Sequence, residues 1–423
     1  MFCLVMLPAG MQRFLIRCGR RPSDRWVNAY YWFKFCKAYT MQKWKKKLVS
    51  HAIQLDDMAD AAMLRLRQRL GMMDTFQVLP YRTYGTNDNI YVRGRVLEDK
   101  KMAVSKDDNF FDNLLNMYKR FETDEVPGVT VQLNLPGEQQ QVTTDKEGYF
   151  VFNFQPKNPL ITNELYHSFP LQLLHANYPA GSSVDAEMIL PPADAEYGII
   201  SDIDDTIIRT GAANLLAMGK TVLLGNARTR LPFAGVAAFY KALQLGRNGK
   251  QNNPFFYVSS SPWNLYDLLT DFMDHNGIPP GPLLLRDFGL QSESFMSGDY
   301  MSHKFTEIAR ILDTYPHLNF VLAGDSGEQD PPIYYEVVKR YPGRIISIYI
   351  RDVVAGAKQE TAANIALELK KEGVEMILTE HTVKAAEHAA ASGLIFREEI
   401  PAIVEDKKED TGQEPGKEET GIL

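Results

Sequence analysis

The chain has 423 residues, of which 45% are apolar, 23% charged and 11% aromatic. That composition excludes a collagen-like, low-complexity or wholly disordered chain, and the length allows about two or three domains. The formal charge of −7 is unevenly spread: residues 1–50 hold eleven Lys or Arg against one acid, Asp24, a balance of +10 that leaves −17 on the remainder. Cys3, Cys18 and Cys36 are the only cysteines, so nothing beyond residue 36 can form a disulfide or a thiolate metal site, and the body suits a reducing compartment. No window of 18 uncharged apolar residues is present, which argues against a spanning helix. Residues 2–10 are apolar but short and lack a charged n-region, which argues against a cleaved signal peptide. The expected location is cytoplasmic, peripheral at a membrane, and no nucleic-acid partner is expected.

In residues 1–50, Trp26, Tyr30, Phe33 and Lys37 share a helical face, and Lys43, Lys45, Lys46 and Lys47 surround Trp44. Three readings fit. The segment lies at an anionic membrane surface, with aromatics at headgroup depth and lysines on the lipid; or it packs an aromatic face on the body; or translation begins at Met41. Residues 51–76 read as a helical lead-in, with Met63, Leu64, Leu66 and Leu70 near a 3.6 period and Gly71 able to end the run.

From about residue 77 the period becomes two. Ile90–Val96, Val129–Leu135, Val142–Thr144 and Tyr149–Phe154 read as strands, punctuated by Pro136-Gly137 and Asp145-Lys146-Glu147-Gly148. Phe110, Phe111, Leu114, Leu115, Tyr118 and Phe121 outline an amphipathic helix between them. The expectation over 77–190 is a small β-sandwich, and its Thr144–Phe150 turn resembles those of transthyretin-like modules. It carries no convergent titratable set, so it reads as a binding or scaffolding module of unknown protein partner.

Residues 195–395 change character again. Tyr197–Ser201, Phe255–Val258, Leu283–Leu285, Phe320–Ala323 and Ile345–Ile350 are short continuous apolar runs separated by helix-length spacers, followed by a strand at Glu375–Thr379 and a helix at Thr382–Ala391. Strands buried on both faces read this way, which predicts an α/β domain with a doubly wound parallel sheet. Residues 398–423, with nine acids and three lysines, are expected to be a disordered tail.

Sites on parallel sheets form beyond the carboxyl ends of the strands. Those ends carry Asp202-Ile203-Asp204-Asp205-Thr206, Ser259-Ser260-Ser261-Pro262 and Asp325-Ser326-Gly327, with Lys304 at the start of the helix entering the strand before Asp325. Carboxylates, hydroxyls and a lysine on one rim suit Mg²⁺ and a phosphate ester, because hard oxygen ligands select that ion and phosphoryl transfer relies on positioned positive charge. Other readings stand beside this one. Asp330 before Pro331-Pro332 makes a sound helix N-cap, Ser261 before Pro262 is more readily a cap than a ligand, and His303 is incidental. Arg228 and Arg230 fit either a phosphate headgroup or a solvated loop.

Asp-x-Asp-x-Thr at the first strand end, Ser at the second, Lys304, and Gly324-Asp325 followed by Asp330 resemble the four motifs of the haloacid dehalogenase phosphatase superfamily. More narrowly, the stretches at 198–207, 256–265, 281–287 and 324–331 look like the catalytic domain of the actin-patch phosphatidate phosphatases, a family similar to the lipins. The resemblance implies a HAD-like fold preceded by the β-sandwich, and Mg²⁺-dependent hydrolysis of phosphatidate to diacylglycerol and phosphate. It makes Asp202 the nucleophile, Asp204 the acid and base, Ser259 a phosphoryl ligand and Lys304 the residue holding the nucleophile. Mg²⁺ would meet the Asp202 carboxylate, the Asp204 carbonyl and Asp325, with Asp330 steadying it. Lipins carry Ser-Ala-Arg where this chain has Ser-Ser-Ser-Pro, so that arginine is missing. Residues 207–230 leave room only for a short cap, which favours a bulky or surface-held substrate. The alternatives are the same chemistry on a soluble phosphomonoester, or a non-catalytic lipid-binding scaffold.

Overall fold

A computed structural model of the chain describes residues 75–99, 125–160, 163–178, 181–204, 206–207, 234–286, 300–352 and 357–411. The basic head, residues 51–74 of the expected helical lead-in, the helix expected around Phe110–Phe121, Arg228 and Arg230, most of the short cap and the tail beyond 411 lie outside the described residues. The last two residues of that lead-in, Thr75 and Phe76, open a strand instead, because Phe76 and Val78 are buried alternately along it.

Eight strands form the first layer: β1 (Thr75–Pro80), β2 (Thr83–Thr86), β3 (Asn89–Asp99), β4 (Thr130–Leu135), β5 (Glu138–Thr143), β6 (Tyr149–Phe154), β7 (Tyr166–Leu174) and β8 (Val184–Ile189). They join in the order β1-β3-β2-β8-β7-β4-β5, with β6 on β3. Neighbours are antiparallel except β2 and β8, which run parallel. The β4–β5 hairpin turns at Pro136-Gly137, where Gly137 adopts φ 75, a conformation that glycine enters without steric cost.

The second layer is a six-stranded, wholly parallel sheet of β9 (Gly198–Ser201), β10 (Phe255–Pro262), β11 (Leu283–Arg286), β12 (Phe320–Asp325), β13 (Ile345–Arg351) and β14 (Glu375–Thr379), in the order β11-β10-β9-β12-β13-β14. Its helices are α1 (Val236–Leu245), α2 (Tyr266–His275), α3 (Tyr300–Thr314), α4 (Asp330–Arg340), α5 (Ala357–Lys371), α6 (Thr382–Ala391) and α7 (Ile400–Thr411). Alternate residues of each strand enter opposite cores. Ile199, Phe255, Tyr257 and Val321 join residues of α1, α2 and α6, whereas Ile200, Phe256, Val258 and Leu322 join residues of α3, α4 and α5. Burial on both faces is why these strands are uninterrupted apolar runs. Strand order reverses at β9, which starts in the middle of the sheet with β10 on one side and β12 on the other. The crevice at such a reversal is where open parallel sheets bind ligands.

Two further expectations need correction. Residues 400–411, read as disordered tail, form α7. The charge count misled because a single apolar position suffices: Ile403 is fully buried in the core against α1 and α6, and the Asp406 carboxylate accepts the Ala238 N–H at 3.1 Å. Asp330 is the first residue of α4 rather than its cap, which is Gln329, and its carboxylate is bonded to Lys304 and to the Asp325 N–H instead.

Candidate active site

Three adjacent strands deliver the aspartates and serines: β9 and β12 the former, β10 the latter. Asp202 follows β9 and keeps its register, its N–H donating to the Ala323 carbonyl of β12 at 2.9 Å. Ile203 is fully buried in the apolar core, which anchors the backbone between Asp202 and Asp204. Asp325 ends β12, and Ser259 lies within β10. Lys304 comes from the first turns of α3, with its side chain 3% exposed.

Lys304 is the hub. Its ammonium donates to Asp202 Oδ1 at 2.8 Å, Asp330 Oδ1 at 2.7 Å and Glu328 Oε2 at 2.8 Å. Thr206 Oγ1 donates to the other Asp202 oxygen at 3.2 Å. Asp330 Oδ2 accepts the Asp325 N–H at 3.1 Å, so that carboxylate ties Lys304 to the end of β12. Asp325 Oδ1 in turn accepts the N–H groups of Gly327 and Glu328 at 2.6 and 2.9 Å. A second arrangement holds Asp204: Ser259 Oγ and Ser261 Oγ donate to its Oδ2 at 2.8 and 3.0 Å, and the Ser261 N–H donates to Ser259 Oγ at 2.9 Å.

Five carboxylates thus gather with one ammonium bonded to three of them. Burial is the largest force on each aspartate and raises its proton affinity. For Asp202 the rise is opposed by Lys304 and reinforced by Asp330 and Glu328. Asp204 is raised by burial against the hydrogen bond from Ser259, and Asp330 by burial against Lys304. Asp325 is pushed up to about 8 by burial and by its acidic neighbours Asp330 and Glu328. Burial alone would lower Lys304, but Asp202, Asp330 and Glu328 outweigh it and hold the ammonium charged.

The donor set fits a hard divalent cation. Asp202, Asp325 and Asp330 each offer an oxygen within 4.8 Å of the others. Among the described residues, the buried Asp325 Oδ2 and Asp204 Oδ1 find no hydrogen-bond partner, an arrangement that is costly until a cation or a donor meets those oxygens. Asp330 differs from the other two, because both of its oxygens are already engaged by Lys304 and by the Asp325 N–H.

The sequence-derived candidates Asp202, Asp204, Ser259, Lys304, Asp325 and Asp330 therefore all meet at one strand-end crevice, while His303 Nε2 is buried and finds no hydrogen-bond partner among the described residues. Three further participants escaped the sequence reading. Ser261 before Pro262 reads as a cap, although Ser259 and Ser261 at i and i+2 on a strand share a side. Thr206 sat inside the quoted motif without a role. Glu328 gave no local signal: it is a loop acid that matters only because α3 brings Lys304 to it.

Comparison with known proteins bears on the same region. Residues 197–352 match the family described as "Phosphatidate phosphatase APP1, catalytic domain". The chain is 36% identical over 155 residues to Phosphatidate phosphatase APP1 of Saccharomyces cerevisiae, covering 36% of this chain and 25% of that protein. It is 28% identical over 232 residues to an uncharacterized protein of Schizosaccharomyces pombe, covering 53% of this chain and 37% of that one. The chain thus matches well under half the length of either relative. A solved carbohydrate acetylesterase of Xanthomonas citri is 9% identical with a TM-score of 0.23, covering 68% of this chain and 72% of that one, and carries no argument.

Proposed function

We propose that residues 197–352, which carry the catalytic-domain signature of the actin-patch phosphatidate phosphatase family, are a HAD-like, Mg²⁺-dependent phosphatidate phosphatase domain. The observation that carries the proposal is the Asp202–Lys304–Asp330 chain beside Asp204 at the strand-order reversal, inside the segment matched by that family.

In this reading Asp202 attacks the phosphoryl group and becomes an aspartyl-phosphate. Its oxygens are held by Lys304 and Thr206, which fixes the direction of attack. Asp204, raised by burial and steadied by Ser259 and Ser261, delivers its proton to the leaving diacylglycerol oxygen and then withdraws one from the hydrolytic water. Asp202, the Asp204 carbonyl and Asp325 would hold Mg²⁺, which when bound supplies positive charge that lets an anionic nucleophile approach an anionic ester. Asp330 sets the position of Lys304 and of the end of β12. The eight-stranded layer would be the accessory module that accompanies the catalytic domain. Among the described residues no helix is long and apolar enough to cross a membrane, so phosphatidate would be met at an anionic surface, with the lysines around Trp44 as its contact.

Phosphate release from phosphatidate micelles, set against a panel of water-soluble phosphomonoesters, tests this. Turnover of phosphatidate that is lost on the order of 10³-fold or more in Asp202→Asn, with the fold retained, supports it. Activity confined to the soluble panel would exclude the lipid substrate, and an active Asp202→Asn would exclude the nucleophile.

A further inference from the structure

Among the described residues, the eight-stranded layer supplies no carboxylate to the site, yet it grips the strand that orients Asp204. Strand β10 pairs with β11 at Val258↔Leu284 and next at Pro262↔Arg286, so β10 takes four steps where β11 takes two. The bulge so formed contains Ser259 and Ser261, the two donors to Asp204. Bulges re-aim side chains and are common beside active sites. Upstream, the bulge is held by the parallel sheet, through Phe255–Tyr257 on β9.

Downstream, it is held by the other layer. Trp263 directly follows Pro262 and is 8% exposed. Its ring stacks on Tyr81 at 4.8 Å and 20°, and the Arg93 guanidinium of β3 lies 4.2 Å from its centroid. Tyr81 and Arg93 are themselves joined, since the Tyr81 N–H donates to the Arg93 carbonyl at 2.9 Å. Helix α2, which continues the same segment, is fastened too: Arg82 reaches Asp274 through both guanidinium nitrogens at 2.9 and 2.7 Å, and its N–H donates to the Tyr266 hydroxyl. Stacking and cation–π contacts are strongest when desolvated, as here.

We propose that Tyr81 and Arg93 are positioning residues, which act through Trp263 to hold the β10 bulge so that Ser259 and Ser261 meet Asp204. The inference rests on the phosphatase reading above and assigns the eight-stranded layer a part in catalysis without contact with substrate. A misplacement of about 1 Å at a catalytic group costs roughly 10²-fold in rate, which sets the scale of the effect.

The test uses the full chain with Mg²⁺, measuring kcat and KM on phosphatidate micelles and on p-nitrophenyl phosphate. Arg93→Met should lower kcat about 10- to 100-fold with KM nearly constant, and Arg93→Lys, which keeps a cation over the ring, should recover most of it. In a Ser261→Ala background the loss from Arg93→Met should shrink to about twofold or less, because the two changes damage one device. Hydrogen exchange should quicken over residues 259–266 in Arg93→Met while β12 and β13 keep their protection. Additive losses in the double variant, or unchanged exchange over 259–266, overturn the inference. Should Arg93→Met fail to fold, Tyr81→Leu removes the stacked ring without touching a charge and carries the same expectations. A wild-type chain that releases no phosphate from any substrate refutes the phosphatase reading instead, and the exchange result then decides the grip by itself.

Discussion

Gly324→Ala is the sharpest probe of the carboxylate–lysine chain. The three atoms nearest to an added Cβ at Gly324 would all belong to Asp330, its Cβ and Cγ at 2.8 and 2.9 Å and its Oδ2 nearer still. Asp330 has no room to yield. It is wholly buried, and its two oxygens are committed to Lys304 at 2.7 Å and to the Asp325 N–H at 3.1 Å. Relief of the overlap therefore means giving up at least one charge-assisted bond, about 1.5–3 kcal/mol, on top of overpacking strain of about 1–3 kcal/mol. The expected destabilisation is about 3–6 kcal/mol, which in a domain of this size lowers Tm by on the order of 10 °C. Urea unfolding followed by circular dichroism, with wild type and variant compared at constant m, reads the free energy directly. The same variant should release phosphate more slowly well below its Tm, because displacement of Asp330 frees Lys304 from its fixed place beside Asp202. A variant within about 0.5 kcal/mol of wild type would refute the close packing of Asp330 on the end of β12, and with it the role given to that carboxylate.

Stability should also depend on pH in a direction set by the raised aspartates. Asp325, pushed up to about 8 by burial and its acidic neighbours, binds more protons folded than unfolded, so cation-free protein should lose stability as pH rises from about 4 through 8. Adding Mg²⁺ should raise Tm more at pH 8 than at pH 5, and a thermal-shift series that runs flat, or the opposite way, would contradict a cation site at these residues. At the other end of the domain, Ile403→Ala should cost about 2–5 kcal/mol by emptying the space that α7 fills against α1 and α6. Urea titration checks it, and a change under about 0.5 kcal/mol would return residues 400–411 to the status of a solvated tail.

Much of this layout is legible in the sequence. The strand at Glu375–Thr379 and the helix at Thr382–Ala391 have the bounds that periodicity predicts; four of the five other apolar runs fall within strands of the parallel sheet, and the fifth, Tyr197–Ser201, begins one residue before its strand. Strand ends were harder. The run Phe255–Val258 extends to Pro262 because the bulged serines return to pairing with β11 at Arg286, and no hydrophobic period signals a bulge. The acidic stretch after Glu398 was misread for the converse reason: its composition is that of a tail, and its helix depends on one buried isoleucine and a groove formed by distant residues.

The sequence by itself determined which chemistry was available. A strand buried on both faces must be a continuous apolar run, and the first polar residues after it must stand at the sheet's carboxyl edge, so the positions of Asp202, Asp204, Ser259 and Asp325 follow from the sequence. Only the tertiary structure decided how those groups are wired. Lys304 lies 102 residues from Asp202 and 24 from Glu328 in the chain, and its choice of three carboxylates follows from where α3 packs. Ser261 became a partner of Asp204, not a cap, through a bulge whose far side is held by Tyr81 and Arg93 of another sheet. Residue type and local period are properties of short segments, whereas these contacts are made by the packing of segments that share no local signal.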